Sequence, residues 1–269
     1  MPLTQVVDYF NTHLETLNPR ASLQRHAYFH YRAGRVSAEL GGMSLQPYQQ
    51  PILDLTTQAV AGWESNIRVV GQRHRRYSVE DLYFLAWDKE DVVFLDRFLR
   101  VLHALHHLSR HTVEAPPLVV DVHWRHIQAV EASHGLVFET LLARLGVSPG
   151  QMVLRLRGDL LLSEAHVQHA AQSFHQRGYI LLAHELPSAV GESGWQKLKE
   201  CGVHWVTPES QAFGDKRWHQ QALASGLKVW WSGVEQPTEL ELAQRTGSVL
   251  ISGSLVEECY MQVPASAAL

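Results

Sequence analysis

The sequence predicts an α/β protein whose parallel strands alternate with helices and close into a barrel. From residue 118 onward one unit recurs: a short apolar, β-branched run, a turn, then a longer stretch with helical spacing of its apolar residues. Gly178, Gly202, Gly226 and Gly247 each stand just before such a run, where a helix end requires positive φ. Two more runs lie upstream, and a total of eight favours a closed barrel over an open doubly wound sheet.

Taken in order, residues 6–17 carry helical spacing that ends before Pro19. Residues 27–40 (AYFHYRAGRVSAEL) read as a hairpin turning at Ala33 and Gly34. The first 45 residues therefore form an N-terminal helix and hairpin extension, residues 46–260 the barrel, and residues 261–269 a small, apolar, frayed tail. The barrel opens with runs at 51–55 (PILDL) and 60–69 (VAGWESNIRV). Ser78 and Asp81 form a loose capping box, and residues 82–108 read as helical with a break near Asp88.

Six strand candidates follow, at 118–122 (LVVDV), 152–156 (MVLRL), 179–183 (YILLA), 203–207 (VHWVT), 227–231 (LKVWW) and 248–251 (SVLI). Helical stretches at 138–145, 163–176, 195–200, 218–224 and 238–245 return the chain between them. Trp205, Trp230 and Trp231 fall inside strands, where core packing is the expected role; an alternate one facing a pocket would offer a surface for stacking a base.

Composition narrows the function classes. The chain of 269 residues has a net charge of −4, so it lacks the basic excess of a nucleic-acid binder. Its two cysteines, Cys201 and Cys259, cannot build a disulfide framework or a four-cysteine metal site, which suits a reducing cytoplasm. No apolar run has the ~18 residues a membrane span needs, so no membrane insertion and a cytoplasmic location are expected. The 17 histidines bring the net charge to about zero near pH 6.5 as they titrate.

Specific residue order begins at Gln50, Pro51, Ile52, continues with Gly62, Trp63, Glu64 and Arg68, and returns at Gly233, Val234, Glu235 and at Ser252, Gly253. This pattern resembles the EAL-domain family, bacterial cyclic di-GMP phosphodiesterases with a TIM-type barrel, over about residues 48–256. The resemblance implies a TIM-type (β/α) barrel of the EAL kind whose first strand pair is antiparallel, which the short turn after Leu55 suits. It also implies a mouth where carboxylates hold two divalent cations that activate water against a phosphodiester.

Carried over one residue at a time, the match departs from that chemistry. Glu64 matches the first metal-binding glutamate, though Ser65 and Asn66 replace the alanine and leucine after it, and Asp121 stands for an asparagine ligand. Arg155 stands where another glutamate ligand belongs, and a guanidinium repels a cation. His184 and Glu185 replace two aspartates, Thr207, Pro208 and Glu209 replace the segment with the catalytic lysine, and Ser232 replaces the candidate general base. One ligand, one lysine and one base are lost, and each such role commonly carries ~10²-fold or more in rate.

The resemblance thus implies a catalytically inactive EAL-like regulatory module that works through a protein partner, with a second copy of the chain among the candidates. The alternatives are a cyclic di-GMP receptor without hydrolysis and, behind it, a metal-dependent phosphodiesterase with a divergent site. No catalytic residues and no cofactor are expected, with Mg²⁺ or Mn²⁺ only under the last alternative. Cyclic di-GMP contacts are weakened at Asn66 and Ser252 but retained at Arg68 and Gly253, and Arg155 and Arg157 add phosphate-binding candidates. The acids Glu64, Asp121, Glu185, Glu209 and Glu235 read either as a remnant metal site or, preferably, as ion-pair partners of Arg68, Arg155 and Arg157.

His103, His106, His107 and His111 lie on one predicted helix outside the barrel, where 103/107 and 107/111 have the four-residue spacing of zinc pairs but no cysteine or carboxylate completes a motif. The basic run 72–76 (QRHRR) reads as a solvated loop. Tyr28, Phe29 and Tyr31 read either as interface anchors or as a cover for the bottom of the barrel.

Overall fold

In the computed structural model, which describes residues 2–112 and 114–262 with side chains to Glu258, the chain opens with an added layer on the barrel. Helix α1 (Leu3–Thr12) precedes the hairpin of β1 (Ala27–Arg32) and β2 (Arg35–Leu40). Strands β3 (Met43–Asp54) and β4 (Ala59–Val70) form a long ribbon, followed by the short β5 (Arg76–Tyr77), α2 (Val79–Tyr83) and α3 (Lys89–Arg110).

The repeating units are β6 (Leu118–Asp121) with α4 (Trp124–Ala129) and α5 (Leu136–Leu145), then β7 (Met152–Arg157) with α6 (Gly158–Ser163) and α7 (Ala165–Gln176). After them come β8 (Ile180–Leu186) and α8 (Glu192–Glu200), β9 (Val203–Pro208) and α9 (Lys216–Ala224), and β10 (Lys228–Trp231) and α10 (Pro237–Thr246). The chain then reaches β11 (Leu250–Ile251) and α11 (Ser254–Gln262). The tail expected over residues 261–269 lies outside the described residues from 263 on.

Strand order β3-β11-β10-β9-β8-β7-β6-β4, closed by β3 against β4, makes an eight-stranded barrel. Strands β4 and β6 to β11 run parallel around the ring, and β3 runs antiparallel to both its neighbours. The expected strand at 51–55 is a twelve-residue strand whose first half rises above the ring. There Leu45 and Pro47 are buried while Gln46 and Tyr48 are exposed, the alternation of a strand with one face covered. Gly178, Gly202, Gly226 and Gly247 all take positive φ just before their strands. Six-residue α4 is too short to show a period, and the helix expected at 163–176 is α7, preceded by the short additional helix α6.

Inside the ring, Ile52, Val119, Val153, Leu182, Trp205, Trp230 and Leu250 form one buried layer, a single residue from each of seven strands. On the eighth strand stands Gly62, where a Cβ would lie 3.2 Å from the Trp205 ring and 3.1 Å from the Pro117 carbonyl. The glycine makes the room that the tryptophan fills. Trp231 points outward and stacks on Phe213 at 4.8 Å, so all three strand tryptophans are core residues.

Residues 1–45 share the main buried cluster with the barrel helices instead of standing apart from it. Phe29 is fully buried and stacks on Phe98 of α3 at 4.3 Å. Asn11 bonds both backbone groups of Phe29 at 2.8 Å, and Asp91 accepts from Leu23 N at 2.9 Å and Ser22 Oγ at 2.8 Å. Of the three aromatics expected as anchors, Tyr28 alone is exposed. The hairpin also pairs with the end of β3 farthest from the Asp54 turn, so it sits toward the mouth and does not cover the bottom.

Two predictions follow from this packing. A Cβ on Gly253, at φ +147°, would lie 2.3 Å from both N and O of Val234. Gly253→Ala should therefore cost on the order of 3 kcal/mol in a urea titration, against about 1 kcal/mol for Gly34→Ala, where nothing lies within 4 Å.

Burial holds His103 neutral with its pKa pushed down to about 4, and His126 to about 3, from an ordinary 6.5. Because both folded values lie below the unfolded one, their contribution to stability is complete above about pH 6.5 and drains away as the pH falls toward 4. The melting temperature should decline steadily over that window, and His126→Phe should flatten the decline.

Candidate functional site

The C-terminal ends of β4, β6, β7 and β8 open into a pocket of about 510 Å³, walled on one side by α2 and α3. Strand ends are where a parallel barrel presents its loops and its chemistry. At the pocket floor, Arg155 of β7 reaches across to two neighbouring strands. Its Nη1 donates to Glu64 Oε1 of β4 at 2.9 Å, and its Nη2 donates to Asp121 Oδ2 of β6 at 2.9 Å, with Nε bonding Asp121 Oδ1 as well.

The second Glu64 oxygen accepts from Ser252 Oγ at 3.0 Å, and Ser252 Oγ accepts from Trp230 Nε1 at 3.2 Å. Glu64, Ser252 and Trp230 are all buried. This bonded chain ties β10, β4, β7 and β6 together across the mouth.

Electrostatics follow from the bonds. Desolvation by the pocket walls raises the Asp121 pKa, and the Arg155 charge more than reverses this, so the carboxyl is held below its ordinary range. Burial works against the Arg155 charge, yet Asp121 and then Glu64 raise its pKa well above the ordinary guanidinium value. His184, at the end of β8, is pushed down first by burial and then by Arg155.

Asn66, Arg157, His184 and Glu185 line the same pocket as Arg155 and Asp121, but Arg68, Glu209, Glu235 and Gly253 do not. Arg157 pairs bidentately with Asp159 at 3.0 and 2.6 Å, not with a rim acid. It is the last residue of its strand, and the first turn of α6 brings Asp159 nearer than any barrel carboxylate. Arg68 lies four residues beyond Glu64 on the rising ribbon, over the Tyr48 ring at 5.8 Å, and lines a second cleft.

Glu209 Oε1 accepts from Ser188 N at 2.7 Å, and exposed Glu235 donates its backbone N–H to Glu239 at 2.7 Å. Gly253 packs on the Val234 backbone. Glu185 takes φ +55°, a left-handed conformation unusual for this residue, and its N–H donates to Thr207 Oγ1 at 3.1 Å. The row of four histidines is split: His103 faces the mouth pocket, His106 and His111 face the second cleft, and His107 Nδ1 lies 3.4 Å from Gln49 Oε1.

One buried polar cluster beside the mouth has no counterpart in the sequence reading. Asp96 accepts from Arg100 Nη2, from His123 N at 2.9 Å and from Tyr83 Oη at 3.4 Å, and all four residues line the pocket. Arg100 also donates to His126 Nε2 at 3.4 Å, which leaves the ring proton on Nδ1, 3.3 Å from Asp96 Oδ2. The i,i+4 spacing of Asp96 and Arg100 is the signal that could have marked them.

Divalent cations do not fit this set of donors. The two carboxylates that approach each other, Glu64 and Asp121, already close on a guanidinium. Among the described residues, no three histidine, cysteine, aspartate or glutamate side chains are placed to share an ion.

No family model and no curated protein matches the sequence. Solved EAL structures do match its fold. The EAL enzyme Bd1971 in its cGMP-bound form superposes with a TM-score of 0.63 at 15% identity, over 79% of this chain and 62% of that one. PaMucR phosphodiesterase, in complex with c-di-GMP, gives 0.63 at 16% identity over 79% of this chain and 90% of that one. The FimX EAL domain from Pseudomonas aeruginosa, bound to c-di-GMP, gives 0.62 at 13% identity over 99% and 98%. This chain therefore spans less than two thirds of the Bd1971 chain but nearly all of the isolated FimX domain. Its fold is that of the EAL barrels.

Proposed function

We propose that this chain is a non-hydrolysing regulator with an EAL fold, acting through a protein partner in bacterial, cytoplasmic cyclic di-GMP signalling. The observation that carries the reading is Arg155, whose guanidinium takes the place between Glu64 and Asp121 that a cation would need. A fixed positive charge balances the acids without a Lewis acid's ability to activate water. Thr207 and Ser232 supply neither the lysine nor the carboxylate that the resemblance would require. Among the described residues, no helix is long and apolar enough to cross a membrane.

Support for a protein partner comes from the rim. Phe84 and Trp87, between α2 and α3, are 78% and 90% exposed, and Trp124 next to the pocket is 37% exposed. Arg125 donates to the carbonyls of Tyr83 and Ala86 at 2.9 Å each, which fixes the aromatic turn in place. Large aromatics held out in water are interface anchors. The receptor reading has its own support, since the mouth pocket stays open and presents Arg157, His123 and Trp124.

Incubation with cyclic di-GMP and Mg²⁺ or Mn²⁺ should yield no linear dinucleotide above a blank. Metal-dependent product that Glu64→Gln abolishes would instead establish the divergent-enzyme alternative. Arg155→Met leaves Glu64 buried without its charge partner and should destabilise the fold by roughly 3 kcal/mol. Arg155→Glu should create measurable Mn²⁺ binding by calorimetry while still giving no turnover.

Calorimetric titration with cyclic di-GMP separates the two binding readings: a micromolar dissociation constant weakened by Arg157→Ala marks a receptor, and silence marks an interaction module. In the second case, a specific partner recovered from native cells should be lost with the double variant Phe84→Ser and Trp87→Ser, whose melting temperature should match the parent.

A further inference from the structure

The β2–β3 hairpin turns through Gly41 and Gly42, both with positive φ, so Leu40 and Met43 form the hydrogen-bonded pair that closes a two-residue turn. Residues of β3 that share the parity of Met43 then aim both backbone groups at the β2 edge. Pairing with β2 stops at Leu45, and pairing with β11 begins only at Leu53. Between them the backbone groups of Pro47, Gln49 and Pro51 face an unpaired edge.

A second cleft, about 660 Å³, runs along this edge between the β2 hairpin and the C-terminal half of α3. Its size is that of a small-molecule site. Two features show what it would accept.

First, its charge opposes that of the whole chain. Within a protein of net charge −4, Arg35, Arg68 and Arg110 converge on one cleft with a single carboxylate, Glu257, which lies 3.4 Å from Gln50 Nε2. None of the three arginines has a carboxylate partner among the described residues. Second, the edge is rich in acceptors and poor in donors. Two of its three positions are prolines, so it offers three carbonyls and one N–H, and an added peptide strand would lose two ladder bonds.

The cleft also holds unmet polar groups: Gln49 Nε2 and His106 Nδ1 are buried without a hydrogen-bond partner. Tyr48, 43% exposed beneath Arg68, provides a ring for stacking. Arginines call for phosphate, strand carbonyls for a donor-bearing planar group, and the tyrosine for an aromatic face. We infer that this cleft is a nucleotide site, separate from the barrel mouth, that binds a nucleoside monophosphate with an amino-bearing base along the β3 edge and its phosphate on Arg35, Arg68 and Arg110.

Calorimetry of the full chain with AMP and with GMP tests this. At least one should bind, more tightly than inorganic phosphate and more tightly than its own nucleoside. Arg68→Ser and Arg110→Ser should each weaken binding tenfold or more with unchanged melting temperature, whereas Arg157→Ala at the mouth should leave it unchanged. Absence of heat at millimolar nucleotide would overturn the inference. So would binding that depends on Arg157 but not on Arg68 or Arg110, or inorganic phosphate binding as tightly as either nucleotide.

Discussion

Two carboxylates brought close at the end of a parallel barrel need a positive charge between them, and here that charge is the guanidinium of Arg155. Glu64 is buried, so leaving it unpaired would cost more than the surrounding hydrogen bonds could restore. Arg155 meets both acids with separate donors, and Ser252 and Trp230 satisfy the other side of Glu64. The chemistry of the mouth depends on this arrangement. A permanent charge bonded on both sides ties β4, β6 and β7 together across the floor of the pocket.

Below that floor the barrel is held by complementary volumes. Seven strands each contribute one buried residue to the inner layer, and Gly62 on the eighth makes room for the ring of Trp205. Interiors packed at crystalline density tolerate little change of volume, so the glycine and the tryptophan act as one unit. Toward the rim, Gly253 similarly lets the chain pass against Val234, which positions Ser252 for its bond to Glu64. Close backbone packing thus fixes the position of a polar group.

Helix α3 connects the regions of the molecule. Its N-terminal half receives Phe29 and the loop capped by Asp91, its middle carries Asp96, Arg100 and His103 to the mouth pocket, and its end carries His106 and Arg110 to the second cleft. Hydrogen bonds and stacked rings join the first 45 residues to this helix, so the added layer and the barrel form one buried cluster. A ribbon that rises above the ring, with the hairpin attached, gives the barrel a second concave surface of opposite charge to the chain as a whole.

Periodicity in the sequence determined the barrel. Apolar runs, helical stretches and the glycines before four strands are local features, set by backbone geometry and side-chain burial within a few residues of each other. The place of Arg155 inside a strand was legible for the same reason, whereas its standing for an acid is only what the resemblance implies. Tertiary structure decided the pairings. Whether Arg157 meets a rim acid or Asp159, whether Arg68 faces the mouth or the second cleft, and whether Phe29 is an anchor or core all depend on residues distant in sequence. In the chain Asp96 and Arg100 are only an i,i+4 pair, and it is the docking of α4 that sets His126 against them. A side chain's partners are chosen by distance and burial, and strand register, ribbon twist and helix docking set those only once the chain has closed.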